Sequence, residues 1–204
     1  FEGRKPGTSG ERITVDYLVS EFRKLGLEPG VRGSYLQPVK LVEITAASDA
    51  SLAFDTPAGK VALGYGEDAV IWTKRVQRQV AITDSPLVFV GYGVVAPEAG
   101  WNDYAGVDMH GKTAVILIND PGFATSDPEL FRGRALTYYG RWIYKFEEAA
   151  RQGAAGAIIV HETEAASYPW EVVVNGGVGP RLDMATADGN AGRAAIEGWM
   201  TRDA

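Results

Sequence analysis

The sequence predicts a mixed α/β (α+β) fold, in which an amphipathic helix and a strand precede a β-rich domain with a strand–helix–strand unit. The first observation is a helical spacing of apolar residues within residues 9–25. The second is a pair of continuously apolar runs, "LVFVGYGVV" and "TAVILIND", which are typical of strands buried on both faces. The third is the glycine content. Glycine accounts for 25 of the 204 residues, a share well above the usual roughly 7%, which indicates many tight turns.

The N-terminal helix is predicted by a start signal, an apolar stripe and a stop signal. Thr8 and Glu11 occupy the first and last positions of a capping box. Apolar residues then recur on one helix face, namely Val15, Leu18, Val19, Phe22 and Leu25. Gly26 suits a left-handed cap, so we expect a helix over residues 9–25.

Strand-like segments follow from residue 35 onward. Their β-branched and aromatic content predicts strands at residues 35–44, 51–54, 60–63, 80–83, 87–95 and 113–118. The second and third of these segments flank the turn sequence Thr56-Pro57-Ala58-Gly59, which predicts a hairpin.

The strand–helix–strand unit lies in the second half of the chain. Residues 142–152 carry an apolar face that ends at Gly153, and residues 157–160 form another apolar run. With the strand at 113–118, this order predicts a parallel pair joined by a right-handed crossover. The connection over residues 119–140 is long, and such loops are usually functional or mobile.

The last residues of the sequence also carry a signal. They read as a strand at 195–200 followed by the N-cap and acidic first turn of a helix at 201–204. One opening turn is not a stable helix. Because the sequence also opens at Phe1 without a methionine, we expect the chain to be a piece of a longer polypeptide, cut at both ends.

Composition excludes several classes of protein. The net charge of −6, without a dense Lys/Arg block, argues against nucleic-acid binding. No apolar run approaches the roughly 20 residues of a membrane span. The absence of cysteine excludes disulfides, thiolate zinc sites and cysteine nucleophiles.

The stretch "IIVHETE" contains the first half of a His-Glu-x-x-His zinc motif at His161-Glu162. The position of the second histidine holds Ala165, and His110 is the only other histidine. A site that joins both histidines to distant carboxylates is one alternative. The other is that His161 makes local hydrogen bonds at the end of a strand.

Other catalytic motifs are absent or out of context. No Gly-x-Ser-x-Gly elbow occurs, and Gly91-Tyr92-Gly93 lacks the third glycine of a dinucleotide fingerprint because Ala96 stands there. Residues 106–113 match the letters of a phosphate loop. That loop must follow a strand and open a helix, whereas this segment precedes a strand and is better interpreted as a turn.

The aromatic and basic segment "FRGRALTYYGRWIYKF" at residues 131–146 has two interpretations. One is a helix entry with core aromatics and solvated arginines. The other is a loop that presents Arg and Tyr side chains to a ligand or a neighbouring domain, since both are favoured contact residues. The candidate contact residues are Arg132, Arg134, Tyr138, Tyr139 and Arg141.

Two long stretches carry a family likeness. "VFVGYGVVAPEAGWNDYAGVDMHGKTAVILINDPG" followed by "RWIYKFEEAARQGAAGAIIVHETE" resembles the protease-associated domain of zinc aminopeptidases of peptidase family M-twenty-eight, relatives of glutamate carboxypeptidase. The opening "EGRKPGTSGERITVDYLVSEFRKLGLEPG" with "GSYLQPVKLVEI" is similar to the helix and strand that precede that insertion. The resemblance implies two segments: residues 1–44 from the peptidase domain and residues 45–204 as the protease-associated domain.

The resemblance also implies a division of labour. Two zinc ions and a glutamate base belong to the catalytic domain of the family, so no catalytic or metal-binding residue is expected in these 204 residues. The inserted domain is expected to cover the active-site cleft and to help restrict or recognise peptide substrate, with loop 119–141 as the contact. Its partners are then its own catalytic domain and a peptide or protein substrate. Family habit implies export to the periplasm or medium.

A second class of function is compatible with the same likeness. Protease-associated domains also occur in subtilisin-like proteases and in sorting receptors, where they are interaction modules. The helix and strand within residues 1–44 favour the peptidase. A His-x-Asp strand motif and a Glu-Glu pair encoded beyond Ala204 would distinguish the two.

Overall fold

The computed structural model describes residues 1, 3–47 and 50–204. The chain forms two compact units, Phe1–Lys40 and Leu41–Ala204. The predicted boundary after residue 44 falls inside the first strand of the second unit. The assignment of residues 1–44 to a peptidase domain stays a prediction.

The first unit is built on helix α1 (Ser9–Lys24). The Thr8 hydroxyl accepts a hydrogen bond from the Glu11 amide, as predicted, and the Glu11 carboxylate accepts one from the amide of Gly7 at 2.6 Å. The predicted apolar stripe is largely solvent-exposed, with Leu18 44% and Leu25 72% exposed. Residues 35–40 form no strand, so the predicted strand at 35–44 is wrong in its first part.

The second unit contains most of the secondary structure. A 3₁₀ turn at Pro97–Ala99 separates two of its short strands. Its elements in chain order are β1 (Leu41–Thr45), β2 (Leu52–Thr56), β3 (Gly59–Leu63), β4 (Ala69–Trp72), β5 (Leu87–Phe89), β6 (Val95–Ala96), β7 (Trp101–Asn102), β8 (Thr113–Leu117), α2 (Pro121–Thr125), α3 (Trp142–Arg151), β9 (Gly156–His161), α4 (Thr163–Ala166), α5 (Trp170–Gly177), β10 (Pro180–Met184) and β11 (Ile196–Thr201).

A five-stranded sheet with the order β4-β11-β9-β8-β5 forms the centre of this unit. Strands β5, β8, β9 and β11 are parallel to one another, and β4 is antiparallel to β11. The predicted strand–helix–strand unit is β8–α3–β9, and its two strands are parallel neighbours. The mixed α/β fold class predicted from the sequence is confirmed.

The hydrophobic core lies on the face of the sheet that α3 and α5 cover. Val70, Trp199, Ile159 and Ile116 stand in register across four strands of this face and are at most 3% exposed. Phe146 of α3 packs on this face, because its ring meets that of Trp72 edge-on at 5.7 Å. Burying each large apolar side chain contributes about 1.5–3 kcal/mol, so this layer supplies much of the stability.

Among the described residues, three two-stranded sheets complete the unit. Strands β2 and β3 form the predicted hairpin, in register from Leu52↔Leu63 to Thr56↔Gly59. Strand β1 pairs with β10, and β6 pairs with β7. The turn at residues 106–112 leads into β8 rather than into a helix, as the sequence predicts.

Several strand predictions are wrong. Residues 80–83 form no strand, and residues 201–204 end β11 in a turn instead of starting a helix. Strand β5 stops at Phe89 because Gly91 and Gly93 adopt left-handed backbone angles, with φ of 58° and 60°. Burial on both faces also fails for β5, since it is an edge strand and Phe89 is 64% exposed.

Candidate functional site

The carboxyl ends of the four parallel strands meet at one edge of the sheet, which we call the carboxyl edge. Tyr92, Asp120 and Glu162 lie just beyond the ends of β5, β8 and β9. Open parallel sheets usually bind ligands at this edge, because the connecting loops there can be varied without disturbing the strands. Loop 119–141 leaves the sheet at this edge.

Asp120 fastens loop 119–141 to the end of β8. Its side chain is fully buried, and Oδ2 accepts hydrogen bonds from the Thr137 amide at 3.1 Å and the Thr137 hydroxyl at 2.6 Å. Its other oxygen, Oδ1, is buried without a hydrogen-bond partner in the described part of the chain. The far end of the loop is therefore held to the strand by one carboxylate.

Asn119 makes the second attachment. Its backbone is left-handed, with φ of 74°, and its amide Nδ2 donates to the Ala165 carbonyl at 2.8 Å. A side chain at Gly140 would approach Leu136 at 2.6 Å and the Asn119 Oδ1 at 3.1 Å. The loop returns so closely over Asn119 that only glycine fits at position 140 without a shift of its neighbours.

Lys145 of α3 brings a cation into this buried region. Its side chain is fully buried, and its ammonium donates to the Tyr92 carbonyl at 2.6 Å. Desolvation lowers the pKa of Lys145 to about 7, against the opposing attraction of Asp120 and Asp103. Lys145 therefore titrates near neutrality and joins α3 to the chain that follows β5.

An aromatic cluster supports the rest of the loop. The Tyr139 ring meets those of Phe131 at 5.7 Å and Tyr144 at 5.1 Å, both edge-on. The Tyr139 hydroxyl donates to Glu98, which raises the pKa of Tyr139 to about 12. The Tyr144 hydroxyl accepts from the Val95 amide at 3.0 Å. Tyr139 is thus a structural anchor for the loop as well as a predicted contact residue.

The other predicted contact residues lie on the outside of loop 119–141. Arg134 pairs with Glu164, and its guanidinium lies 4.4 Å from the Phe123 ring centre. Tyr138 is 60% exposed and stacks edge-on against Tyr144. Arg132 and Arg141 are exposed, and neither guanidinium bonds to another residue that the structure describes. The loop brings these residues onto one segment, and their role in contacting a ligand stays a prediction.

Sequence reasoning missed the polar residues Asp120, Thr137 and Lys145, of which Asp120 and Lys145 are buried. One signal was present for Lys145, since it lies three residues after Trp142 and one before Phe146 on the predicted apolar face of α3. A lysine on such a face either snorkels to water or is buried. Asp120 gave a weaker signal, as a polar residue directly after a buried strand.

His161 lies at the end of β9 and is 5% exposed. Its Nε2 donates to the Tyr168 carbonyl at 3.0 Å, and its ring contacts those of Trp170 at 5.5 Å and Trp199 at 6.0 Å. The interpretation of His161 as a strand-end residue with local hydrogen bonds is confirmed. Desolvation lowers the pKa of His161 below its usual value.

Acidification should destabilise the protein through His161. The unfolded chain takes up a proton at about pH 6.5, whereas burial makes the folded state resist protonation, so stability falls as the pH drops through this value. We expect the melting temperature of the His161→Gln variant to fall less than that of the wild type when the pH is lowered from about 7.5 to about 5. Thermal unfolding followed by circular dichroism measures this, with His110→Gln as the exposed-histidine control. Equal losses in all three proteins would contradict the expectation.

The described residues do not fit a zinc site. Across residues 1, 3–47 and 50–204, no three His, Asp or Glu side chains converge on a point that could hold a metal ion. The same residues include no helix with the length and apolar character needed to cross a bilayer.

Comparisons with known proteins find similar solved structures, among them two aminopeptidases. The chain is similar to an aminopeptidase from Aneurinibacillus sp. strain AM-1, with a TM-score of 0.41 and 20% identity over 97% of this chain and 34% of that one. It is also similar to BSAP, a zinc aminopeptidase from Bacillus subtilis, with a TM-score of 0.28 and 20% identity over 76% of this chain and 28% of that one. This chain thus spans about a third of the length of these structures. No protein-family model and no curated protein matches it.

Proposed function

We propose that residues 45–204 form a non-catalytic, protease-associated domain of a two-zinc metallo-aminopeptidase of peptidase family M-twenty-eight. In this role the domain covers the active-site cleft and restricts or recognises peptide substrate. The sequence likeness supports the proposal, because its two quoted stretches include residues of β5, β8 and β9, which are consecutive strands of one sheet. The two zinc ions and the glutamate base belong to the catalytic domain of the parent enzyme.

The observation that carries the proposal is the construction of loop 119–141. Its base is fixed by Asp120 and Asn119, while Arg132 and Arg141 stay exposed with no anionic partner in the described chain. A guanidinium that is free in the unbound domain can donate to a peptide carbonyl or carboxylate without breaking an existing bond. Because the base of the loop is already ordered, binding costs less conformational entropy than it would for a mobile loop.

The parent enzyme is expected to act on peptides outside the cytoplasm, in the periplasm or medium. The isolated 204-residue chain is expected to release no amino acid from a peptide. Chelator-sensitive release of amino acids by this chain would contradict the proposal that catalysis belongs to a separate domain of the parent enzyme.

Arg141→Ala tests the contact role of the loop in the full-length enzyme. Arg141 lies at the N-cap of α3, directly after the loop. We expect kcat/KM for peptides to fall about tenfold, as for an arginine at the centre of a contact. Hydrolysis of a single-residue anilide, too short to reach the loop, should change little.

The control for this experiment is Arg78→Ala, since Arg78 is exposed and lies outside loop 119–141. This variant should leave kcat/KM unchanged for both the peptides and the anilide. Unchanged kcat/KM values for peptides in Arg141→Ala would show that Arg141 is a solvated surface residue that does not contact substrate.

An independent interaction module is the second candidate function. The exposed edge strand β5 favours it, with Leu87 47% and Phe89 64% exposed, because unpaired edge strands accept strands from partners. The gene sequence beyond Ala204 separates the two candidates. A His-x-Asp strand motif and a Glu-Glu pair support the peptidase, and a sequence without them supports the module.

A further inference from the structure

The second unit contains a cavity of about 250 Å³ that no residue of loop 119–141 lines, although Trp142, which directly follows the loop, does. It lies between the β1–β10 pair, α3 and the chain that follows β4. Its walls combine apolar and charged side chains, among them Ile44, Lys74, Trp142, Arg181, Asp183 and Arg193. Sites for drug-sized ligands start at roughly 300 Å³, so any ligand here is a small molecule.

Most charges around the cavity are already paired. The Lys74 ammonium lies 3.2 Å from the carboxylate of Glu197, which is 1% exposed and also accepts from the Trp72 indole. The Arg193 guanidinium lies 3.3 Å from the Glu147 carboxylate. The charges within each pair neutralise one another. The remaining charged side chains of the cavity are those of Arg181 and Asp183.

Arg181 is a cation without a direct ion pair among the residues that the structure describes, and Glu197 and Asp183 attract it only from a longer distance. Its guanidinium carbon lies 4.0 Å from the Trp72 ring centre, and it donates to the Gly176 carbonyl. No carboxylate that the structure describes lies within ion-pair distance of it. Partial burial of an unpaired cation is unfavourable, so the site favours an anion from outside.

Asp183 is an anion with one oxygen that lacks a hydrogen-bond donor among the described residues. Its Oδ1 accepts from the Met184 amide at 2.8 Å and lies 4.0 Å from the Arg193 guanidinium. Its Oδ2 is buried and has no donor among the residues that the structure describes. A buried carboxylate oxygen without a donor costs free energy, so this position favours a donor that carries positive charge.

The side chains of Arg181 and Asp183 lie on one side of the same strand. Arg181 and Asp183 are two positions apart in β10, with Leu182 between them, which places them on the same face and roughly 7 Å apart along the strand. A ligand that satisfies both carries an anion and a cation a few ångströms from each other. The walls formed by Ile44 and Trp142 add an apolar surface beside them.

We propose that this cavity binds a free α-amino acid with an apolar side chain. Its carboxylate pairs with Arg181, its ammonium donates to Asp183, and its side chain packs against Ile44 and Trp142. The site does not depend on the peptidase assignment. An amino-acid site would operate in an interaction module as well as beside an aminopeptidase.

Isothermal titration of the 204-residue chain tests the proposal with three probes that share one carbon skeleton. Leucine carries both charges, leucinamide lacks the carboxylate and 4-methylpentanoate lacks the ammonium. We expect leucine to bind with a Kd of about 1 mM or tighter and each analogue to bind about tenfold more weakly. No binding of leucine up to about 10 mM, or equal binding of leucine and either analogue, would overturn the zwitterion site.

Two variants locate the site. Arg181→Gln and Asp183→Asn should each weaken leucine binding about tenfold, whereas the matched controls Arg78→Gln and Asp127→Asn should not. Unchanged far-ultraviolet circular dichroism shows that a variant is folded. Leucine binding that survives both folded substitutions would place the ligand elsewhere and contradict the proposal. If a variant does not fold, the three-probe comparison on the wild type still decides.

Discussion

Replacing Lys145 with methionine is expected to stabilise the folded protein below pH 7 by about 3 kcal/mol. Folding lowers the pKa of this ammonium from 10.5 to about 7, which at about 1.4 kcal/mol per unit corresponds to about 5 kcal/mol. Methionine fills a similar volume without a charge. It cannot donate to the Tyr92 carbonyl, and an unsatisfied carbonyl costs about 1–3 kcal/mol, which leaves the net gain.

The same substitution should remove a pH dependence. Between the folded pKa of about 7 and the unfolded value of 10.5, the unfolded state binds more protons than the folded state. Wild-type stability therefore rises with pH across this window. We expect a rise of up to about 3 kcal/mol between about pH 7 and pH 9 in the wild type, and a flat profile in Lys145→Met.

Urea unfolding at a series of pH values between about 6 and 9 measures both effects. Lys60→Met, at an exposed position of β3, is the matched control and should follow the wild-type profile. A parallel pH profile in the wild type and Lys145→Met would show that Lys145 is not the titrating group.

Asp120→Ala is expected to destabilise the protein by about 3 kcal/mol. The substitution removes the acceptor of two hydrogen bonds from Thr137, and bonds to a charged group are worth about 1.5–3 kcal/mol each. It also removes a negative charge that attracts the buried Lys145. The base of loop 119–141 should open, and hydrogen exchange at the Thr137 amide should accelerate.

Asp127→Ala is the control, since Asp127 is exposed in the same loop and its carboxylate accepts from the nearby Glu129 amide. It should cost less than about 1 kcal/mol. Combining Asp120→Ala with Lys145→Met should cost less than the sum of the single effects, because the unpaired ammonium is no longer present. Strict additivity in urea unfolding would mean that the two side chains do not interact.

The elements that depend on local pattern could be predicted from the sequence. Helix α1 and helix α3 each follow from apolar periodicity and end signals that lie within about 20 residues of each other, and the parallel β8–β9 pair follows from the strand–helix–strand order of successive elements. The β2–β3 hairpin follows from its turn. In these cases the residues that decide the structure are neighbours in the chain.

Elements decided by distant partners escaped prediction. Strand β10 carries two charges and a proline within five residues, and its pairing with β1 joins segments far apart in the sequence. Strand β5 looks like an interior strand because its residues are apolar, yet its position at the edge follows from the order of the whole sheet. Intrinsic strand preference does not encode this order.

The candidate site was predictable in kind but not in detail. The Arg and Tyr residues of loop 119–141 could be selected as contact residues from their types. The sequence did not show that Tyr139 would be an anchor, because this depends on its bond to Glu98, 41 positions earlier. Asp120 and Lys145 were missed because charged residues are usually exposed, and only the tertiary packing buries them.

The order of the central sheet has a consequence for biosynthesis. Strand β11 lies between β4 and β9, although β4 and β9 are translated long before it. Ile196–Thr201 must therefore have left the ribosome before the sheet can close, and a shorter nascent chain leaves β4 without its partner in the sheet and one edge of β9 unpaired. Exposed apolar edges of this kind bind chaperones or aggregate. We expect the domain to fold after the emergence of β11, with no stable intermediate during translation of the earlier strands.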